Sequence, residues 1–172
     1  MKERKFCAWG YADELLTANE ENNIDTRIAD TFQLDSVNRI KIPKAEEIEL
    51  PQSRIEPPDS LKKFFSEERL DRLNHTYGKS FPDSARSILG LFPAPPDLIA
   101  YPDTENDISD ILDWASSNDI AVIPYGGGSS VCGGVETDVG GDYKGVISLD
   151  MKNLNKIIEI DRESRTALIQ GG

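Results

Sequence analysis

The stretch 122–134, VIPYGGGSSVCGG, concentrates the residue types able to hold a ligand. Gly126, Gly127 and Gly128, followed by Ser129 and Ser130, offer main-chain N–H groups with no Cβ atoms in the way. Glycine reaches positive φ without steric cost, so successive amides can turn inward as an anion-binding nest, with the two hydroxyls at its rim. Two readings stay open on these residues: a backbone cradle for a phosphate, or a structural turn between strands. Known phosphate loops narrow the first. A Walker loop needs G-x-x-x-x-G-K-[ST]; Gly128 and Gly133 have the separation, but Gly134 and Val135 follow where Lys and Ser/Thr belong. The dinucleotide fingerprint G-x-G-x-x-G is met at Gly126 and Gly128 and broken at Val131. The CGGVETDVGG that follows is too rich in glycine to open a helix. What remains is a loop binding anions through its own backbone, with no Lys or Arg required beside it.

The other reactive residue types are sparse. His75 is the only histidine, which excludes a catalytic triad or a multi-histidine metal site within the chain. In NHTYGKS it reads as a packing or hydrogen-bonding residue. Cys7 and Cys132 are far apart and show no C-x-x-C spacing, so neither a disulfide framework nor a metal knuckle is implied. Cys132 reads as a small buried filler beside the glycine loop. Lys79 and Arg86 could meet an anionic substrate, although surface charge is the commoner fate of such residues. Trp114 belongs to the core or an interface. No residue of the chain is assigned a catalytic role.

The elements around the loop determine what it can do. PDLIAYP is a short strand closed by Pro102, and Thr104 with Asp107 forms a carboxylate version of the capping box. Ile108, Ile111, Leu112 and Ala115 then recur at helical spacing, which predicts a helix over 105–117 with one apolar face. IAVIPY is a second strand, so residues 97–101 and 120–125 should be parallel strands in a right-handed βαβ unit. The glycine loop then lies at the C-terminal end of a parallel strand, where α/β proteins gather ligands. Three further strands follow: GVISLD (145–150), IIEID (157–161) and TALIQG (166–171), the last two forming a hairpin. Upstream, residues 59–93 carry short helical signals: Asp59 and Ser60 can cap a turn burying Leu61, Phe64 and Phe65. A second turn from Ser66 would bury Leu70 and Leu73. Residues 1–58 are polar, with Pro43, Pro51, Pro57 and Pro58 and no strong periodicity, and read as an extended arm.

Bulk composition agrees with a single domain preceded by that arm. The 172 residues carry 31 acidic and 19 basic side chains for a formal charge of −12, which argues against nucleic acid and against anionic membrane surfaces. No run of about 18 apolar residues exists, so no membrane span is expected. The basic start is followed by an apolar portion too short for a secretory signal, and a cytoplasmic, reducing location is the expectation. The chain stops at Gly171–Gly172 straight off a strand, which reads as an N-terminal fragment.

From His75 to Gly172 the sequence resembles the FAD-binding, PCMH-type domain of the vanillyl-alcohol oxidase and p-cresol methylhydroxylase superfamily. PDLIAYPDTENDISDILDWASSNDIAVIPYGGGSSVCGG fits its pattern of strand, helix, strand and P-x-G-G-G-[ST]-[ST] pyrophosphate loop; GVISLDMKNLNKIIEID and TALIQGG follow in order. RLNHTYGKSFPD and WGYADE are similar to the branch holding alkyldihydroxyacetone-phosphate synthase and bacterial FAD-linked oxidases. The resemblance implies an α+β fold whose first subdomain holds the parallel βαβ unit, with 94–172 as the N-terminal part of the FAD domain. It makes Pro124, Tyr125, Gly126, Gly127, Gly128, Ser129 and Ser130 the FAD pyrophosphate loop, and Gly171–Gly172 the start of a further flavin-contacting turn. Some relatives attach FAD through a histidine in this loop; Gly128 stands about there, so noncovalent FAD is implied. The family's substrate domain, catalytic tyrosine and histidines fall beyond position 172. The complete enzyme would act on a small-molecule substrate by redox or adduct chemistry at the flavin, with a homodimer as a further expectation. The rival expectation is a noncatalytic remnant or binding module that keeps the loop.

Overall fold

The computed structural model describes residues 4–172; the first three residues of the arm, Lys2 of its basic start among them, lie outside the described residues. Among its described residues the arm, expected to be extended, holds an α-helix, α1 (Ala18–Phe32). Its signal was the capping box alone: Thr17 Oγ1 accepts from Glu20 N, and the Glu20 carboxylate accepts from Thr17 N at 2.8 Å. None of its residues is buried, so an apolar face fixed by packing was not there to be read.

The core is a four-stranded sheet of β1 (Phe65–Ser66), β2 (Leu98–Ala100), β3 (Ile120–Tyr125) and β4 (Gly145–Asp150), in the order β1-β2-β4-β3. Both β2 and β3 run parallel to β4, and β1 is antiparallel to β2. The two strands of the expected βαβ unit are therefore parallel, with β4 inserted between them. Every residue of β4 is buried, as befits a central strand covered on both faces. β3 lies at the sheet edge, where Pro124, lacking an N–H, costs the ladder least.

Helix α4 (Glu105–Ser117) joins β2 to β3. Its capping box closes as the sequence implies, with Asp107 Oδ2 accepting from Thr104 N at 2.8 Å. Ile111 and Ala115 are buried, and Trp114 meets the Phe65 ring edge-on at 5.5 Å. Leu112, expected on the apolar face, is 43% exposed. The stripe runs through Ile108, Ile111 and Ala115, and Leu112 lies at its flank, about 100° further round the helix than Ile111. Leu61, Phe64, Leu98, Ile111, Ile147 and Leu149 form the centre of this core, each worth roughly 1.5–3 kcal/mol of burial.

Residues 59–93 contain a 3-10 turn at Lys62–Phe64, helix α2 (Arg69–Asn74) and helix α3 (Phe81–Ile88). Leu61, Phe64 and Leu73 are buried there, while Phe65 and Leu70 are half-buried. Asp97, just before β2, fixes the arm to the sheet. It is 2% exposed; Oδ1 accepts from Arg54 N at 2.8 Å, and Oδ2 accepts from Arg54 Nη2 and Val146 N at 2.7 Å each. Beyond the core, β5 (Ile157–Asp161) and β6 (Thr166–Ile169) pair as the expected antiparallel hairpin, with nearly every side chain exposed. No described helix is long and apolar enough to cross a membrane.

Candidate functional site at the end of the third strand

β3 delivers the chain to the loop through Tyr125, whose side chain turns inward. Its hydroxyl donates to Asn74 O at 3.0 Å, and its ring lies against His75 with centroids 4.1 Å apart. His75 is buried, with Nδ1 2.7 Å from Asp71 O and Nε2 3.0 Å from Asp150 Oδ2. Asp150 closes β4 opposite Tyr125, and its other oxygen accepts from Lys152 N at 2.9 Å. Burial, with Asp150 adding to it, pushes the Tyr125 phenol up to about 12, so the hydroxyl keeps its proton and stays a donor. The single histidine thus belongs to a packed polar floor beneath the loop.

Above that floor the three glycines differ. Gly128 is buried with φ +66°, and a Cβ there would overlap the Tyr125 hydroxyl. Gly126 and Gly127 are exposed; a Cβ at Gly126 would meet nothing within 4 Å, and one at Gly127 only Ser129 Oγ at 3.8 Å. Of the three, only Gly128 adopts positive φ, because the chain turns over the tyrosine ring at that residue. Gly126 and Gly127 instead form a bare ledge of backbone at the C-terminal end of a parallel strand, with Pro124 and Ser129 exposed beside it.

Several side chains depart from their sequence expectation. Ser130 is turned inward, its Oγ accepting from Gly134 N at 2.9 Å and its carbonyl from Lys79 N at 2.7 Å, so only Ser129 stands at the rim. Gly78 permits that second contact, since a Cβ there would overlap Ser130 O. Cys132 is exposed rather than a buried filler, because the chain after Ser130 folds outward over that hydroxyl. Arg86 and Lys79 are not simple surface charges. Arg86 bridges Asp83, at 2.8 Å, and Glu136, with its guanidinium 4.5 Å over the Tyr77 ring. Lys79 is half-buried, its ammonium donating to Lys5 O at 3.2 Å and Phe6 O at 3.4 Å, and burial pushes its pKa down. Cys7 is buried and burial raises its thiol pKa, which leaves it inert. Gly171 is open on all sides, whereas Gly172 packs on the turn after β4, donating to Leu154 O at 2.8 Å.

The sequence reading missed one component. Residues 4–14 fold back as a hairpin onto the glycine loop, with Arg4 bridged to Tyr11 and the Arg4 guanidinium donating to Gly127 O. Trp9–Gly10–Tyr11 was the available signal, since Gly10 makes the reversal at φ +89°. A contact spanning 123 residues leaves no trace in local pattern.

Residues 96–172 match the family described as FAD binding domain. The chain carries an FAD-binding domain. That domain has the PCMH-type fold and its cofactor is FAD, and the chain is similar to FAD-linked oxidases and alkyldihydroxyacetonephosphate synthases. The FAD-binding chain is 35% identical to alkyldihydroxyacetonephosphate synthase of Trypanosoma brucei brucei over 130 residues, covering 72% of this chain and 21% of that protein. Identity to the Dictyostelium discoideum protein of the same name is 32% over 146 residues, or 82% of this chain and 23% of that one. A glycolate oxidase subunit of Bacillus subtilis is 36% identical over 77 residues, 45% of this chain and 15% of its own. A solved alkyldihydroxyacetonephosphate synthase structure superposes with TM-score 0.77 at 22% identity, over 97% of this chain and 36% of that one, a likeness of fold. The chain thus spans about a quarter or less of the curated relatives' length.

The residues present fit that cofactor. The ledge at Gly126–Gly127 leaves room for phosphate oxygens to approach the backbone, and among the described residues no acidic side chain lines the adjoining cavity.

Proposed function

We propose that the FAD pyrophosphate is held by Pro124, Tyr125, Gly126, Gly127, Gly128, Ser129 and Ser130, and that FAD is bound noncovalently. The observation that carries this reading is the side-chain-free ledge of Gly126–Gly127 where β3 ends. Within it, Gly126 and Gly127 bring their backbone to the phosphates and Ser129 adds a hydroxyl. Tyr125 and Gly128 set the turn, and Ser130 braces it from within. Gly171–Gly172 approach the flavin end as a second contact. The sole histidine supports the noncovalent mode, since His75 is buried with both ring nitrogens engaged.

Bound FAD supplies two-electron redox chemistry. This chain's part is to bind and orient it for a complete FAD-linked enzyme that acts on a small-molecule substrate. Among such enzymes the reading favours alkyldihydroxyacetonephosphate synthase-like chemistry over hydroxy-acid oxidation, because identity to those synthases extends over the arm as well as the FAD domain. A cytoplasmic location and a homodimer belong to the same reading. The test reconstitutes the purified chain with FAD, removes excess by gel filtration, and then precipitates the protein with acid. Flavin that co-elutes with the chain and then stays in the acid supernatant is the expected result. A colourless chain, or flavin trapped in the pellet, overturns it.

A further inference from the structure

The hairpin of residues 4–14 and the glycine loop enclose a cavity of about 290 Å³ lined by Arg4, Lys5, Trp9, Lys79, Gly127 and Ser129 among others. Among the described residues three cations line it, in a chain whose formal charge is −12. We propose that Arg4, Lys5 and Lys79 form a second wall of the phosphate site, closing over the ledge so that the diphosphate of FAD is held between backbone N–H groups and cations. The proposal rests on the placement of FAD at Gly126–Gly127 and adds residues that no glycine motif contains.

The hairpin is built to hold those charges in place. Lys5 N donates to Gly10 O at 3.1 Å and Glu14 N to Tyr11 O at 3.0 Å, which closes the reversal. Phe6 packs on Phe92 with ring centroids 6.1 Å apart, and Cys7 is buried, so the segment is seated on the domain. Lys79 fastens it from below through the carbonyls of Lys5 and Phe6. One of the five guanidinium N–H groups of Arg4 goes to Gly127 O, so the planar fork already lies at the ledge. The fork geometry suits two phosphate oxygens at once, and the ammonium groups add point charges. The Glu14 carboxylate is occupied by Tyr11 N at 3.0 Å, across the hairpin from Arg4, and the Lys5 ammonium donates to the Glu14 carbonyl, which holds it beside the cavity. A half-desolvated ammonium at Lys79 gains from an anion what burial took from it.

The experiment titrates the whole chain with FAD and, separately, with inorganic pyrophosphate, following Trp9 and flavin fluorescence. Wild type is compared with Arg4→Gln, with Arg4→Gln/Lys5→Gln, and with Lys144→Gln, which removes an exposed cation paired to Asp119. Circular dichroism confirms folding, which the surface changes at Arg4 and Lys5 leave intact. The expected result is about tenfold weaker FAD binding in the double variant, with Lys144→Gln unchanged, and pyrophosphate competing with FAD. Either ligand should also slow tryptic cleavage after Lys5. FAD bound equally by wild type and the double variant overturns the second wall and leaves the ledge reading intact. Pyrophosphate bound in an Arg4-dependent way with no FAD binding overturns FAD as the ligand. Binding of neither overturns both.

Discussion

At the scale of single residues, the glycines of the loop serve two separate ends. Gly128 is required by the chain itself: its φ of +66° and the tyrosine beneath it exclude a side chain whether or not a ligand is present. Gly126 is not required by the chain, because a Cβ there meets nothing within 4 Å. The two can therefore be told apart. Gly126→Val should unfold within about 0.5 kcal/mol of the parent, as surface changes do, yet lose FAD. Gly128→Val should cost stability, on the order of 1–3 kcal/mol from backbone strain and more from the overlap. Urea unfolding and the flavin-to-protein absorbance ratio measure both; a Gly126→Val chain that binds FAD like the parent would put the ligand elsewhere. The triplet was plain in the sequence, but which glycine served the fold was not. That depended on Tyr125 turning under residue 128 to meet Asn74, and on His75 and Asp150 beneath it, contacts made across 51 and 75 residues of chain.

At the scale of elements, local signals carried far and strand order did not. The bounds of α4 followed from Thr104, Asp107 and the spacing of Ile111 and Ala115, and the β5–β6 hairpin followed from its polar turn. The insertion of β4 between β2 and β3 is a choice among non-local pairings that no short window contains. Asp97 is what joins these elements, since its carboxylate takes N–H groups from the arm and from β4. Burial by itself would raise its pKa, but the hydrogen bonds from Arg54 and Val146 outweigh this and hold it below the usual carboxylate range. A depressed folded value means the stabilisation is complete above the unfolded pKa of about 3.9 and is lost as pH falls through the lower folded value. Asp97→Asn should thus destabilise the chain by roughly 2–4 kcal/mol near neutrality, leaving a buried N–H without its acceptor. The gap between variant and parent should narrow in acid. Urea midpoints measured from neutrality down to acid pH give the answer; a constant gap across that range would mean the charge on Asp97 contributes nothing.

At the scale of the whole molecule, the field and the site oppose each other. A formal charge of −12 repels a diphosphate at long range, whereas Arg4, Lys5 and Lys79 attract it at contact. Salt screens over about 8 Å at physiological ionic strength, so it weakens the distant repulsion and the close attraction alike. The two act on different steps. Long-range charge governs diffusional encounter, while contact charge governs escape. FAD association should therefore speed up as salt is added, the opposite of what a basic binding surface gives, and dissociation should speed up as well. In the Arg4→Gln/Lys5→Gln chain, which is more acidic by two charges, the salt dependence of association should steepen and that of dissociation should flatten. Stopped-flow fluorescence over a range of ionic strengths measures both rates. Association that slows with salt in the parent chain would mean that the local cations extend their attraction beyond the cavity and dominate the encounter. The net charge would then have no part in how FAD arrives.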